Sequence, residues 1–467
     1  MASAPLETAL VRLRDAQAAQ SAPTLDSRRQ RLLGLRRYVL AHRERFCEAI
    51  GRDYGHRSRH ETLLCEVAPV LAEIDHALAH LGRWMRPQRR GIDRLRFGFS
   101  RNEVIPQPLG VVGVIVPWNF PINLSLSPLV SILAAGNRAM LKMSERSPRL
   151  AALIAETLPS ALPADTVAVF AETGTTGEAF SRLPLDHLLF TGSTATGRAV
   201  MAAAAANLCP VTLELGGRSP ALVCDDADLP GAAERILDAK CLNAGQICVS
   251  VDHAWLPRAS VAPFIEQARS IAARRYGSLD SPDLSSIIDA RAWRRLVDLL
   301  DDARARGARV LHLLPGAPMD EATHRLAPHL VVDAPADCRL LREEIFGPIL
   351  PLLPYDRLED AVSVLREPPR PLAFYPFTRD RSRLDRLLAE VMSGGVCVND
   401  TLLQVAQPGL PFGGIGASGM GHYHGHEGFL AFSKLRPVHH ASRLSARGLL
   451  YPPFSRTTDR LLRFLLR

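Results

Sequence analysis

Three side chains of this 467-residue chain form a kit for covalent catalysis: a thiol, a carboxylate base and an amide donor. Cys248 lies in NAGQICV, residues 243–249, behind the small pair Ala244-Gly245 and the polar Gln246. A carbonyl carbon can therefore approach its sulfur without a bulky neighbour in the way. Glu214 stands in ELGG and Asn119 in PWNFP. Each also has an ordinary reading. A free cysteine is most often a small buried hydrophobe, an Asn is a common turn former, and a strand carboxylate often pairs with a surface Arg.

Those motifs need elements to hold them. Apolar residues recur at helical spacing over 28–54 and 62–85, as in Val67, Val70, Leu71, Ile74, Leu78 and Leu81, and predict two amphipathic helices. Residues 86–101 are basic, broken by Pro87 and Gly91, and read as a connection or an exposed arm. After Pro108 the pattern becomes a continuous apolar run, VVGVIV at 111–116, which marks a strand buried on both faces and ends at PWNFP. A helix over 124–135 stops at Gly136, a second apolar strand leads to Lys142, and Ser147-Pro148 opens another helix. TVAVF at 166–170, HLLFTG at 187–192, an Ala-rich helix around 201–206 and VTLEL at 211–215 continue the alternation. A second series follows Pro220, with candidate strands at 253–256, 310–313, 330–332, 372–377 and 395–398. Pro376 interrupts the run AFYPF and would remove a ladder hydrogen bond unless it sat at an edge. The expected fold is α/β, with two doubly wound parallel-sheet domains and the chemistry in the cleft between them.

Composition narrows the function classes. Hydrophobic residues at 47% and charged residues at 22% are ordinary for a globular protein and argue against disorder or a fibre. The net charge of +8 is scattered, carried mostly by Arg, and lacks the aromatic-interleaved stripe of a nucleic-acid binder. Cysteines at 47, 65, 209, 224, 241, 248, 338 and 397 show no CxxC spacing and fit a reducing compartment. No apolar core of a signal peptide opens the sequence, and no run approaches the roughly 20 apolar residues of a membrane span, so a cytoplasmic protein is expected. His422, His424 and His426 alternate without nearby Cys or carboxylate pairs, and no metal site is expected of them. The last residues, TTDRLLRFLLR at 457–467, read as a short basic amphipathic helix packed on its own or a partner subunit, with contact to a membrane surface the alternative.

PWNFP at 117–121, FTGST at 190–194, ELGG at 214–217, GQIC at 245–248, EEIFGP at 343–348 and PFGG at 411–414 occur in the order found in the aldehyde dehydrogenase superfamily. The chain resembles that family over about residues 30–435. Any one of these motifs alone would be a weak signal. Residues 399–420, NDTLLQVAQPGLPFGGIGASGM, and 448–454, GLLYPPF, are similar to the coniferyl aldehyde dehydrogenases and the class 3 fatty and aromatic aldehyde dehydrogenases.

The resemblance implies a Rossmann-like NAD(P)-binding domain from residues 1–86 and 109–216 and a catalytic domain over 217–415. It further implies a small oligomerisation arm from 87–108 and 416–441, a tail over 442–467, and a homodimer or larger homo-oligomer. Cys248, rather than Cys241, would attack the aldehyde to give a thiohemiacetal. Asn119 would stabilise the oxyanion, a contribution of about 2.7–4 kcal/mol in such holes. Glu214, between Leu213 and Leu215, would activate the water that hydrolyses the thioester. Its presence points away from the coenzyme A-acylating members, which lack it, and the full kit points away from a catalytically silent binding member. Lys142 and Glu145 match the pair that holds the adenine ribose, and the carboxylate suits a free 2′-hydroxyl, hence NAD with NADP possible. Gly192, Ser193, Thr194 and Gly197 in GSTATG match the pyrophosphate turn at a helix N-terminus. Glu344 matches the nicotinamide-ribose contact, Phe346 the nicotinamide neighbour and Trp118 a pocket wall. Met143 and Val251 stand where relatives often carry Pro.

Overall fold

In the computed structural model the described residues are 4–171, 177–443 and 451–466. Two largely parallel sheets carry the chain. The first orders its strands Gly419–Met420, Val211–Leu215, His187–Gly192, Val111–Ile115, Arg138–Lys142 and Val167–Phe170. All are parallel except the two-residue edge Gly419–Met420. The chain enters this sheet in the middle, at Val111–Ile115, builds outward on one side, and then crosses back to the other side with His187–Gly192. Between these two strands lies the topological switch point, where doubly wound sheets bind ligands beyond the carboxyl ends of their strands.

Alternation along Val111–Ile115 explains why both faces are covered. Val112 and Val114 enter one core with the helices Leu25–Tyr54, Ala68–Trp84, Asn123–Ala134 and Pro148–Ala161. Val111 and Ile115 enter the opposite core with Val200 and Ala204 of the helix Thr194–Ala205 and with Leu6, Leu10 and Leu13 of an N-terminal helix, Ala4–Ala19. That first helix goes beyond the elements read from the sequence. Its apolar signal is only three buried leucines in sixteen residues.

The second sheet runs Arg309–His312, His329–Val332, Ile349–Tyr355, His253–Pro257, Pro220–Val223, Ala373–Phe377 and Gly395–Val396, parallel except for its first strand. Two of these strands, Pro220–Val223 and Ile349–Tyr355, were not expected. Prolines at 351 and 354 mask the second, although it lies between two neighbours. Pro376 does not break the ladder: its carbonyl accepts from Asn399 N–H at 2.9 Å, on the side where the two-residue strand Gly395–Val396 has already ended.

Residues 86–101, read as lacking a regular element, contain the short strand Gln88–Arg90 and the helical turn Arg94–Phe97. That strand, Arg101–Pro108 and Ser433–His440 form a separate antiparallel sheet. Asn137 ties this arm to the first sheet, donating to Phe432 O at 2.8 Å and accepting Gly110 N–H at 2.9 Å. Near the C-terminus the helix Arg456–Leu465 begins at a capping box on Ser455 and exposes Leu462 and Phe464. Residues 448–450 of the GLLYPPF match lie outside the described residues. Among the described residues no helix is long and apolar enough to cross a membrane.

Candidate active site

Asn119 hangs from the loop that follows Val111–Ile115, and its side chain is buried. Nδ2 donates to the Gln246 carbonyl at 3.1 Å, two residues before Cys248. A side-chain amide has two N–H donors, so one remains for a further acceptor beside the cysteine. The cysteine loop is itself fixed. Asn243, Ala244 and Gly245 follow the helix Leu229–Cys241 with φ of 49°, 50° and 71°, a left-handed run that disfavours Cβ-bearing residues. At Gly245 a Cβ would meet Gly347 O at 2.4 Å, so only glycine fits. Gln246 donates to Asn243 O at 2.9 Å and Ser286 O at 3.1 Å and accepts Ile288 N–H at 3.0 Å. Cys248 emerges half-buried, whereas Cys241 is buried at the helix end. Burial, with Glu344 and Glu214 nearby, pushes the Cys248 thiol up to about 12, so the resting group is a neutral thiol. Val251 is buried in the core of the second sheet.

Glu214 sits on Val211–Leu215, paired in register with Thr191 on one side and Gly419 on the other. It is buried, and neither carboxylate oxygen has a hydrogen-bond partner among the described residues. Burial holds its pKa well above the usual carboxylate value. Glu344 accepts Gly217 N–H at 3.2 Å and fills the place of a Gly216 side chain, with Oε2 2.1 Å from where a Cβ would be. ELGG and EEIFGP thus interlock, and burial raises Glu344 to about 7.

Sequence reasoning missed the residues that hold this second loop. Buried Lys240 donates to Gly347 O at 3.1 Å, Asp252 accepts Ile345 N–H at 3.0 Å, Arg218 pairs with Asp252 at 3.1 Å, and Arg295 donates to Glu344 O at 3.2 Å. Lys240, Arg218 and Arg295 all lie far in sequence from the loop residues that this set supports, so spacing carried no signal. Phe346, at φ 49°, places its ring 5.5 Å from Trp118, edge to face.

A groove of about 1260 Å³ opens at the switch point, lined by Trp118, Lys142, Glu145, Gly192, Ser193 and Thr196 among others. Lys142 Nζ lies 3.4 Å from Glu145 Oε2, and the Glu145 carboxylate is exposed. Ser193 caps the helix Thr194–Ala205 by accepting Thr196 N–H, so the positive end of the helix faces the groove. Two of the predicted turn residues do other work. Thr194 donates to Ala417 O at 3.0 Å, and Gly197 lets the helix close on Leu215, 2.5 Å from where a Cβ would stand. The groove thus offers an anion-binding helix end, a cation and an exposed carboxylate, which fits a dinucleotide. His424 stacks on Phe412 at 5.5 Å, and among the described residues no group of three or more His, Cys, Asp or Glu could hold a metal ion.

Two doubly wound sheets with a groove at the switch point that fits a dinucleotide mark the dehydrogenase class. The aldehyde dehydrogenase family model matches residues 2–438. The probable coniferyl aldehyde dehydrogenase of Pseudomonas aeruginosa is 47% identical over 98% of this chain and 95% of its own length. The coniferyl aldehyde dehydrogenase of a Pseudomonas species is 42% identical over 99% and 96%. Among solved structures, the substrate-bound state of Staphylococcus aureus AldH superposes with a TM-score of 0.91 at 31% identity, covering 98% of this chain and 99% of that one. The Mycobacterium tuberculosis aldehyde dehydrogenase complexed with NAD+ gives 0.83 at 25% identity, covering 93% and 90%. The chain belongs to the aldehyde dehydrogenase family. It is an NAD(P)-dependent oxidoreductase that converts a small-molecule aldehyde to the carboxylic acid.

The unpaired burial of Glu214 has a thermodynamic signature. Because its folded pKa is raised, the folded chain holds the proton more tightly than the unfolded chain, and deprotonation penalises folding as pH rises above about 4.5. Glu214→Gln removes that penalty. Its Tm should exceed the parent's by a few degrees near pH 8, with the gap closing toward about pH 4. A parent at least as stable as the variant at pH 8, by scanning calorimetry, would contradict unpaired burial.

Proposed function

We propose that Cys248 is the nucleophile, that the Asn119 amide and the Cys248 N–H stabilise the oxyanion, and that Glu214 is the base for hydrolysis. The observation that carries this reading is the carboxylate of Glu214, buried without a partner and close enough to raise the Cys248 pKa by its charge. Such a group gains a partner only when water or a donor enters the cleft. The Cys248 proton passes to a nearby carboxylate, Glu214 or Glu344, as sulfur bonds to the aldehyde carbon. The carbonyl electrons move onto oxygen, where Asn119 and the Cys248 N–H receive the charge. A nicotinamide coenzyme supplies the hydride acceptor when bound. Loss of hydride leaves a thioester on Cys248. Once the first proton has passed to solvent, Glu214 takes a proton from water as its oxygen attacks that thioester, and the adduct expels the Cys248 sulfur, which takes the proton back from Glu214 and leaves the acid as product.

Lys142 and Glu145 hold the adenine ribose, Gly192 and Ser193 with the helix N-terminus hold the pyrophosphate, and Glu344, Phe346 and Trp118 frame the nicotinamide end. Thr194 and Gly197 support that turn from outside the groove. The named relatives favour an aromatic aldehyde such as coniferaldehyde, with a medium-chain aliphatic aldehyde as the other substrate class. Residues 1–86 with 109–216 form the coenzyme domain and 217–415 the catalytic domain. The arm of residues 87–108 and 416–441 joins two copies into a cytoplasmic homodimer, and 442–467 is a tail. The exposed residues Phe97, Phe99 and Leu435 in and around the arm sheet fit such a contact.

General-base assistance is worth about 10² to 10⁴ in rate, so losing it separates the two half-reactions. With aldehyde and NAD, Glu214→Gln should release at most one NADH per active site and then nearly stall. Steady turnover at the parent's rate would assign water activation to another group, with Glu344 the first candidate.

The coenzyme preference follows from charge. Glu145 repels a 2′-phosphate, so the parent should favour NAD over NADP, and Glu145→Gln should narrow or invert the ratio of kcat/KM values. An unchanged ratio would remove Glu145 as the discriminator.

A further inference from the structure

The helical layer ahead of the first sheet reaches the catalytic loops from behind. Glu61 and Glu66 flank the start of a π-turn, Leu63–Val67, that joins the helical turn Arg59–Thr62 to the helix Ala68–Trp84. In an unbroken α-helix, residues five apart diverge by about 140° around the axis. The extra residue of a π-turn reduces that divergence, and such turns recur at functional sites.

Both carboxylates are buried, and each grips a different loop. Glu66 Oε2 accepts Ile122 N–H at 2.7 Å and Asn123 N–H at 3.2 Å, just beyond Asn119. Its Oε1 pairs with Arg57 Nη1 at 2.7 Å, with both side chains wholly out of solvent. Glu61 Oε1 accepts Asn243 N–H at 3.0 Å, at the start of the cysteine loop. Between the two grips lies one acceptor, the Asn119 carbonyl. Arg57 Nη1 donates to it at 3.0 Å, the Tyr54 hydroxyl at 3.1 Å and Asn243 Nδ2 at 3.2 Å. Three donors on an oxygen with two lone pairs over-determine its position. The Arg57 guanidinium is further held 5.1 Å from the Tyr54 ring centre and 4.9 Å from that of Phe120.

We propose that Tyr54, Arg57, Glu61 and Glu66 are positioning residues that lock the Asn119 backbone against the cysteine loop, so that the Asn119 amide reaches the oxyanion formed on Cys248. The inference rests on the reading of Asn119 and Cys248 given under Proposed function. A buried Arg–Glu pair is a poor source of stability compared with apolar packing of the same volume. Its donors and acceptors here are directed at loop backbone, which is where geometry needs to be fixed.

The test is single-turnover NADH formation, with enzyme in excess over benzaldehyde and saturating NAD, in a double-mutant cycle. Tyr54→Phe deletes one donor and keeps the ring. It should slow the single turnover roughly tenfold, within the 10²-fold that a displacement of about 1 Å can bring. NAD affinity and Tm should stay at the parent's values. In an Asn119→Ala background the same change should have no further effect, because the residue acts through that amide. Glu61→Gln provides a second arm from the cysteine loop, with a smaller slowing that also vanishes without the Asn119 side chain. Parent-like single turnover in both variants, equal slowing with and without the Asn119 amide, or slowing matched by lost NAD affinity would overturn the inference. If Asn119→Ala itself reacts at the parent's rate, the donor reading fails first and the inference with it.

Discussion

One hydrogen bond joins the two loops on which the proposed chemistry rests: Asn119 Nδ2 to the Gln246 carbonyl, 3.1 Å long and buried. The donor hangs from the central strand of the first sheet, and the acceptor belongs to a loop packed with the second. For that bond to form, both loops must be held to within a few tenths of an ångström, and most of the local irregularity serves this end. The left-handed run at 243–245, the glycine at 245 pressed on Gly347, and the fully engaged Gln246 amide leave the cysteine loop little freedom. Strained backbone of this kind persists only where its surroundings over-determine it.

The electrostatics of the cleft follow first from burial. Cys248, Glu214 and Glu344 are all pushed upward, first by desolvation, and the two carboxylates also disfavour a thiolate. Acids coupled this closely titrate as a set, and at rest the sulfur keeps its proton. Burying Glu214 without a partner sets stability against the activity proposed for it, an exchange common in enzymes.

How much of this was legible depended on whether the signal was local. The central strand, the switch-point loops and the alternation of strand and helix were readable because VVGVIV and HLLFTG are continuous apolar runs that end in distinctive turns. Cys248, Glu214 and Asn119 were proposed from short motifs, and the structure bonds Asn119 to the cysteine loop and buries Glu214 without a partner. The strand at Ile349–Tyr355 was hidden by two prolines, and the helix at Ala4–Ala19 by a narrow apolar stripe. Thr194 and Gly197 matched a motif, yet one bonds Ala417 and the other packs on Leu215, because a motif records position without recording which side of the turn faces the ligand. Least legible were the buried charges Arg57, Glu61, Glu66, Lys240 and Asp252. Most of their contacts lie far off in sequence, and no periodicity marks a polar residue that is paired only in the folded chain.

The central claim is that Cys248 carries the acyl group. The most direct measurement is peptide mapping by tandem mass spectrometry after Glu214→Gln enzyme is mixed with benzaldehyde and NAD and quenched in acid. A benzoyl adduct on the peptide containing Cys248, in proportion to the NADH released, is the predicted result. NADH release with the adduct on Cys241 or Cys65, or with no adduct on any cysteine, would contradict it.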